Sequence, residues 1–124
     1  MLHKFPLLKR LLSVVAMSVA TFAANAACLD NVVMVHGNTG SPSDWNNTVS
    51  ALQSRGYSSS QIHRPNWGSK TCAACNDHGS ANTNPVKSSM QAALAASCTG
   101  KIDVLGHSMG VTLAMKAINE LGYS

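Results

Sequence analysis

Charged and aromatic residues are scarce in this 124-residue chain: Asp, Glu, Lys and Arg make up 11% of it, and Phe, Trp and Tyr make up 5%. Three of the nine basic residues, Lys4, Lys9 and Arg10, lie in the first ten positions. The rest of the chain therefore carries six basic against five acidic residues, a net charge of +1. A nucleic-acid-binding surface needs a basic stripe, often with aromatic residues between the charges. We expect no nucleic-acid partner.

A hydrophobic run long enough to cross a membrane is also missing. The apolar stretch at residues 11–23 falls short of the ~20 residues that a transmembrane helix needs. It follows a basic start and precedes Ala24-Asn25-Ala26, which has the small-x-small form of a cleavage site. We predict a secretory signal peptide at residues 1–26, a mature chain from Ala27 without a stable membrane span, and a secreted or periplasmic location.

All four cysteines lie in the predicted mature chain, at Cys28, Cys72, Cys75 and Cys98. An even number in an exported protein favours two disulfides, and three pairings are compatible with the sequence. A redox site at Cys72-Ala73-Ala74-Cys75 would need a helix start after a strand, and zinc would need further ligands at recognisable spacing. We therefore expect structural disulfides, with no metal and no cofactor.

Hydrophobic patterning predicts strands alternating with helices. Apolar runs indicate strands at residues 31–35 and 102–105, and a weaker strand is predicted at residues 61–64, ended by Pro65. One helix should start at a capping box formed by Ser41 and Asp44 and stop at Gly56; a second should begin near Pro85 after a long loop at 66–84. This order predicts an α/β fold with a parallel sheet and helices on both faces. The residues expected to turn the last helix towards the core are Val111, Ala114, Met115, Ile118 and Leu121.

The last strand runs directly into Gly106-His107-Ser108-Met109-Gly110, a Gly-x-Ser-x-Gly pattern between a strand and a helix. This pattern is typical of a nucleophile elbow, a tight turn that exposes a serine at a helix N-terminus. Glycine on both flanks avoids clashes with the neighbouring strand and helix. The alternative is a loop serine that happens to have glycine neighbours.

Two motifs together resemble the α/β-hydrolase superfamily, in particular secreted bacterial lipases and esterases. The first is the strand and turn at residues 32–40, with His36 and Gly37, and the second is the elbow, with Gly106, His107 and Gly110. The resemblance implies that Ser108 is the catalytic nucleophile, that the backbone N–H groups of Asn38 and Met109 form the oxyanion hole, and that the substrate is an ester or lipid.

One departure from that family is large. Its triad continues with an acid and then a histidine, but no histidine follows Ser108, and the only later acid is Glu120, roughly 18 Å away by helical rise. We expect His36, His63, His78 and His107 to be structural or loop residues.

The expectation is therefore that residues 27–124 form an incomplete hydrolase domain, truncated after the elbow helix, whose own activity is uncertain. The last strand would then keep an open edge for pairing with another chain. The alternative is a non-catalytic exported remnant or binding domain with a hydrolase-like fold.

Overall fold

The computed structural model describes residues 27–124, so the predicted signal peptide lies outside the described residues. Three strands alternate with three α-helices in chain order. Short 3-10 turns occupy Pro42–Trp45, Ser59–Gln61 and Ala73–Cys75. The elements are β1 (Asn31–Val35), α1 (Asn46–Gln53), β2 (Ile62–His63), α2 (Ser80–Ala96), β3 (Ile102–Gly106) and α3 (Met109–Leu121).

The three strands form one parallel sheet in the order β2-β1-β3. Strand β1 is central and every residue in it is buried, as its run of β-branched residues predicts. Val33 of β1 lies opposite His63 on one side and Val104 on the other. The predicted α/β class is confirmed, although β2 has two residues instead of the predicted four.

The two faces of β1 bury different side chains. Val33 and Val35 join the main hydrophobic cluster, which α2 supplies with Val86 and Met90. Val32 and Met34 alternate with them and so face the opposite side of the sheet, where they are also buried. The 3-10 turn that leads into α1 contacts β1. Helices therefore pack around a sheet whose central strand is fully covered.

The capping box before α1 is present, with the Ser41 N–H donating to Asp44 Oδ2 over 3.0 Å. The first turn after it is a 3-10 turn with Pro42 at its start, and the α-helix proper begins at Asn46. The helix ends at Gln53, three residues before Gly56.

The second helix begins at Ser80, so the predicted start near Pro85 is wrong. Side chains hold the turn that precedes it: Asp77 Oδ1 accepts from the Gly79 N–H over 2.8 Å, and Thr83 Oγ1 donates to the Gly79 carbonyl over 3.0 Å. Pro85 then falls in the second turn of the helix, where its missing N–H removes one intrahelical hydrogen bond.

The buried face of α3 also differs from the prediction. Of the expected residues, Ala114 is buried and Ile118 and Leu121 are partly buried, but Val111 is 42% exposed and Met115 is 64% exposed. The reason is that α3 packs on both α2 and the sheet, and its apolar residues cover more of its circumference than these contacts bury. The fully buried residues are Gly110, Leu113, Ala114 and Ala117.

Two disulfides are formed, which confirms the predicted number and decides the pairing. Cys28 is bonded to Cys98 across 70 positions, and Cys72 is bonded to Cys75 within the loop before α2. Two such bonds are consistent with an extracellular protein. Within residues 27–124, no helix is both long enough and apolar enough to span a bilayer.

Candidate active site

Ser108 lies at the corner between β3 and α3 in a backbone conformation that non-glycine residues rarely adopt, with φ 53° and ψ −127°. Such strain persists only where the surroundings impose it. Here the His107 N–H donates to the Val35 carbonyl over 3.1 Å, and the Gly110 N–H donates to the His107 carbonyl over 2.9 Å. These bonds anchor the turn to β1 and leave Ser108 exposed.

The two flanking glycines are required by close backbone contacts. A Cβ atom at Gly106 would lie 2.7 Å from Val111 Cα, and one at Gly110 would collide with the carbonyl oxygens of Val35 and His36. Real Cβ atoms essentially never approach a heavy atom within 3.0 Å. The steric argument for glycine on both sides of Ser108 therefore agrees with the structure.

The turn after β1 lies directly against Ser108, although the two motifs are about 70 residues apart in sequence. A Cβ atom at Gly37 would lie 3.3 Å from Ser108 Cβ and 3.0 Å from His107 Nδ1. The turn is closed by the Gly40 N–H, which donates to the Gly37 carbonyl over 3.0 Å, and Thr39 has a positive φ of 58°. Both motifs meet at the carboxyl edge of the sheet, where open α/β sheets bind ligands.

The backbone N–H groups of Asn38 and Met109 are free to bind a ligand oxygen. Neither one donates to an acceptor within residues 27–124. Met109 is the first residue of α3, where helical N–H groups have no intrahelical acceptor and the helix dipole favours negative charge. Both N–H groups are thus unpaired within the described residues, and the oxyanion hole stays a prediction.

His36 is buried and uses both ring nitrogens in hydrogen bonds. Its Nδ1 lies 2.8 Å from the Gly37 carbonyl, which can only accept, so Nδ1 carries the proton. Its Nε2 then accepts from Lys70 Nζ over 3.2 Å and from the Trp67 N–H over 3.3 Å. The ring also stacks on Trp67, with centroids 5.2 Å apart.

Burial lowers the pKa of His36 from 6.5; the hydrogen bond to Gly37 opposes this shift, and the charge of Lys70 adds to it. Accepting a proton at Nε2 would break both donated bonds beside a cation. His36 is therefore held neutral in the turn, with Nδ1 protonated and the Nε2 lone pair already occupied by Lys70 and the Trp67 N–H.

Of the other histidines in residues 27–124, two have partners away from Ser108 and the third lies beside the turn after β1. His63 Nε2 lies 3.5 Å from Asn31 Nδ2. His78 Nε2 lies 2.6 Å from Thr112 Oγ1, one turn into α3. The side chain of His107 is next to Gly37. Within the described part of the chain, no histidine is hydrogen-bonded to Ser108.

Glu120 is engaged by two lysines. Its carboxylate lies 3.1 Å from Lys87 Nζ and 3.6 Å from Lys116 Nζ. These bonds and charges lower the pKa of Glu120. The acid thus stabilises the packing of α2 on α3 and orients no histidine.

Three residues of the long loop support the turn after β1, and the sequence analysis missed all of them. Trp67 Nε1 donates to the His36 carbonyl over 3.0 Å, and Lys70 Nζ donates to the Gly40 carbonyl over 2.6 Å. Asn76 Nδ2 donates to Asn38 Oδ1 over 2.6 Å. The length of the loop was the only signal in the sequence, because no periodicity marks contacts of this kind.

A cavity of about 270 Å³ opens beside the two motifs. One of the residues that line this cavity is Trp45, whose Nε1 is buried without a hydrogen-bond partner within residues 27–124. A larger cavity of about 490 Å³ lies at the other end of β3, around Ile102 and Tyr123. Residues 27–124 contain no cluster of three or more His, Cys, Asp or Glu side chains that could hold a metal. The smaller cavity is lined by His36, Asp44, Trp45, Thr48 and His107.

These features define a parallel α/β protein with a strained, exposed serine at the carboxyl edge of its sheet. The family described as lipase (class 2) matches residues 30–122, so the chain belongs to this lipase family. At the family level it is a lipase-type hydrolase. No curated protein matches the chain.

Proposed function

We propose that this protein is a carboxylic ester hydrolase of the α/β-hydrolase superfamily that acts through Ser108 and an acyl-enzyme. The observation that carries the proposal is the placement of Ser108. Ser108 is exposed in a strained turn at the start of α3, and Gly37 of the turn after β1 lies close to its Cβ atom. Membership of the lipase family supports ester bonds as the substrate class.

In the proposed reaction, Ser108 Oγ attacks the carbonyl carbon of an ester or lipid. The carbonyl oxygen becomes an oxyanion that the N–H groups of Asn38 and Met109 stabilise, and such a donor is worth roughly 3–4 kcal/mol. Collapse of the tetrahedral intermediate breaks the bond to the alcohol oxygen, which takes up the proton that the base removed from Ser108, and leaves the acyl group on Ser108. Water then attacks the acyl-enzyme, releasing the carboxylic acid and restoring the serine hydroxyl.

The base that removes the Ser108 proton, and the acid that orients this base, would come from a segment that pairs with the free edge of β3. Among the described strands, β3 pairs only with β1, so the backbone groups of its other edge can accept a further strand. Leu105 of β3 is itself exposed. We propose that residues 27–124 are an exported, incomplete domain and that residues 1–26 are its signal peptide.

Labelling with a fluorophosphonate tests the proposal. The reagent places a tetrahedral phosphorus on the serine oxygen and an oxygen in the oxyanion hole. We expect slow labelling that mass spectrometry locates at Ser108, and no adduct there in Ser108→Ala. Adducts spread evenly over Ser41, Ser43, Ser88 and Ser108 would contradict the proposal and favour a non-catalytic domain with a hydrolase-like fold.

A further inference from the structure

We propose that Asn76 is a positioning residue that holds Asn38, and with it the oxyanion donor, in place. Asn76 lies in the long loop directly after Cys75, whose disulfide with Cys72 closes the short segment just before it. The inference rests on the proposed function only for the role of the Asn38 N–H. The physical coupling between this loop and the turn after β1 is independent of that role.

The loop binds both ends of the Asn38 side-chain amide. Asn76 Nδ2 donates to Asn38 Oδ1 over 2.6 Å, and Asn38 Nδ2 donates to the Ala73 carbonyl over 3.1 Å. An amide is the only small side chain that both accepts and donates at these two positions. Asn38 is therefore attached to the loop by a matched pair of bonds.

Asn76 is itself fixed by the loop. Its Oδ1 accepts from the Ser69 N–H over 2.7 Å, and its Nδ2 also donates to the Ser69 carbonyl over 2.9 Å. Gly68 has a positive φ of 71°, and a Cβ atom there would lie 2.7 Å from Asn76 Oδ1. The side chain thus has little freedom to turn away from Asn38.

The turn that carries Asn38 needs such an external contact. Its one backbone–backbone hydrogen bond within the described residues joins the Gly40 N–H to the Gly37 carbonyl and spans Asn38 and Thr39 without involving them. Trp67 and Lys70 bind the turn only at its two ends, His36 and Gly40. An oxyanion donor must be fixed before the reaction, because reorganisation at that moment costs rate. The bonds from Asn76 and Ala73 supply this restraint.

The test compares Asn76→Ala and Asn76→Asp with Asn82→Ala as a matched control. Asn82 is also a loop-bonded amide, with Nδ2 2.9 Å from the Asp77 carbonyl, but it does not contact the turn. In Asn76→Asp the acceptor for Ser69 is kept while the donor to Asn38 is lost. Losing an oxyanion donor costs about 10²–10³-fold, so misplacing one should slow fluorophosphonate labelling of Ser108 about 10-fold. We expect this loss in both Asn76 variants and none in the control.

A double-mutant cycle separates positioning from a general loss of stability. If Asn76 acts through Asn38, adding Asn76→Ala to Asn38→Ala should cause no further loss of labelling rate. NMR relaxation gives a readout that needs no reaction. The order parameter of the Asn38 amide should fall from about 0.85 towards 0.6 in the Asn76 variants.

Additive losses in the cycle, or an unchanged Asn38 order parameter, would overturn the positioning role. If the wild-type chain does not label at Ser108, the proposed function fails, and the order parameter still decides whether Asn76 positions Asn38. If Asn76→Ala does not fold, Asn76→Asp decides alone, because it retains the bond from the Ser69 N–H.

Discussion

Replacing Gly110 with alanine should damage the corner that carries Ser108. The new methyl group would collide with the carbonyl oxygens of Val35 and His36, which belong to the backbone at the end of β1 and cannot rotate away. Overpacking of this kind costs about 1–3 kcal/mol, whereas alanine in place of glycine inside a helix gains at most about 1 kcal/mol. Because two backbone carbonyl oxygens are struck, the upper end of this cost applies, and we expect a net loss of about 2 kcal/mol in the free energy of unfolding.

Urea unfolding followed by the fluorescence of Trp67, which is 3% exposed, measures this loss. The control is Gly100→Ala, because a methyl group at Gly100 meets no atom within 4 Å and the only penalty is its positive φ of 73°. That penalty is about 1 kcal/mol. Because a misplacement of about 1 Å can slow a reaction 10²-fold, Ser108 labelling should also fall in Gly110→Ala but not in the control. A Gly110→Ala protein with wild-type stability and labelling would refute the steric argument.

Three further outcomes are expected. Thiol titration of the denatured, oxidised protein should find no free sulfhydryl, and two or more free thiols would contradict the two disulfides. Replacing Cys28 and Cys98 with serine should lower the free energy of unfolding by about 4 kcal/mol, because this disulfide closes a loop of 70 positions. The free energy of unfolding should decrease as the pH falls through 6.5: burial lowers the pKa of His36 and His63 from that value, so the unfolded chain binds protons there that the folded chain does not. In urea titrations at pH 7.5 and 5.5, the free energy of unfolding should change less between the two pH values in His63→Gln than in the wild-type protein. An equal change would exclude a contribution from His63. The 124-residue polypeptide alone should hydrolyse p-nitrophenyl butyrate barely faster than its Ser108→Ala variant. A second polypeptide that pairs with β3 and supplies an acid and a histidine should accelerate fluorophosphonate labelling of Ser108 by orders of magnitude. Robust turnover that Ser108→Ala abolishes would show that the site is already complete.

The alternation of strands and helices was predictable because each element has its own hydrophobic period. The start of α2 was not, since Pro85 is a common helix start and the bonds from Asp77 and Thr83 that extend the helix backwards carry no periodic signal. The buried face of α3 was missed for a related reason. Val111 and Met115 are as apolar as the residues that the helix buries, and only its contacts with α2 and the sheet decide between them.

The candidate site likewise contains some features that the local sequence predicts and others that it does not. The strand, turn and helix around Ser108, and the need for glycine at Gly106 and Gly110, followed from local sequence. The contact between Ser108 and Gly37 was expected from the resemblance to lipases, whereas the bond from Asn76 to Asn38 had no counterpart in the sequence analysis.

The sequence by itself determined the order of the elements and the tight turn at Ser108, because these depend on residues that are neighbours in the chain. The even number of cysteines follows from composition alone. Only the tertiary structure decided that Cys28 pairs with Cys98, that His36 is a neutral acceptor for Lys70, and that the loop around Asn76 holds the turn after β1. The physical reason is that these contacts join segments tens of residues apart. Their partners are selected by packing and by the hydrogen-bonding needs of buried polar groups, and neither is written in a local pattern.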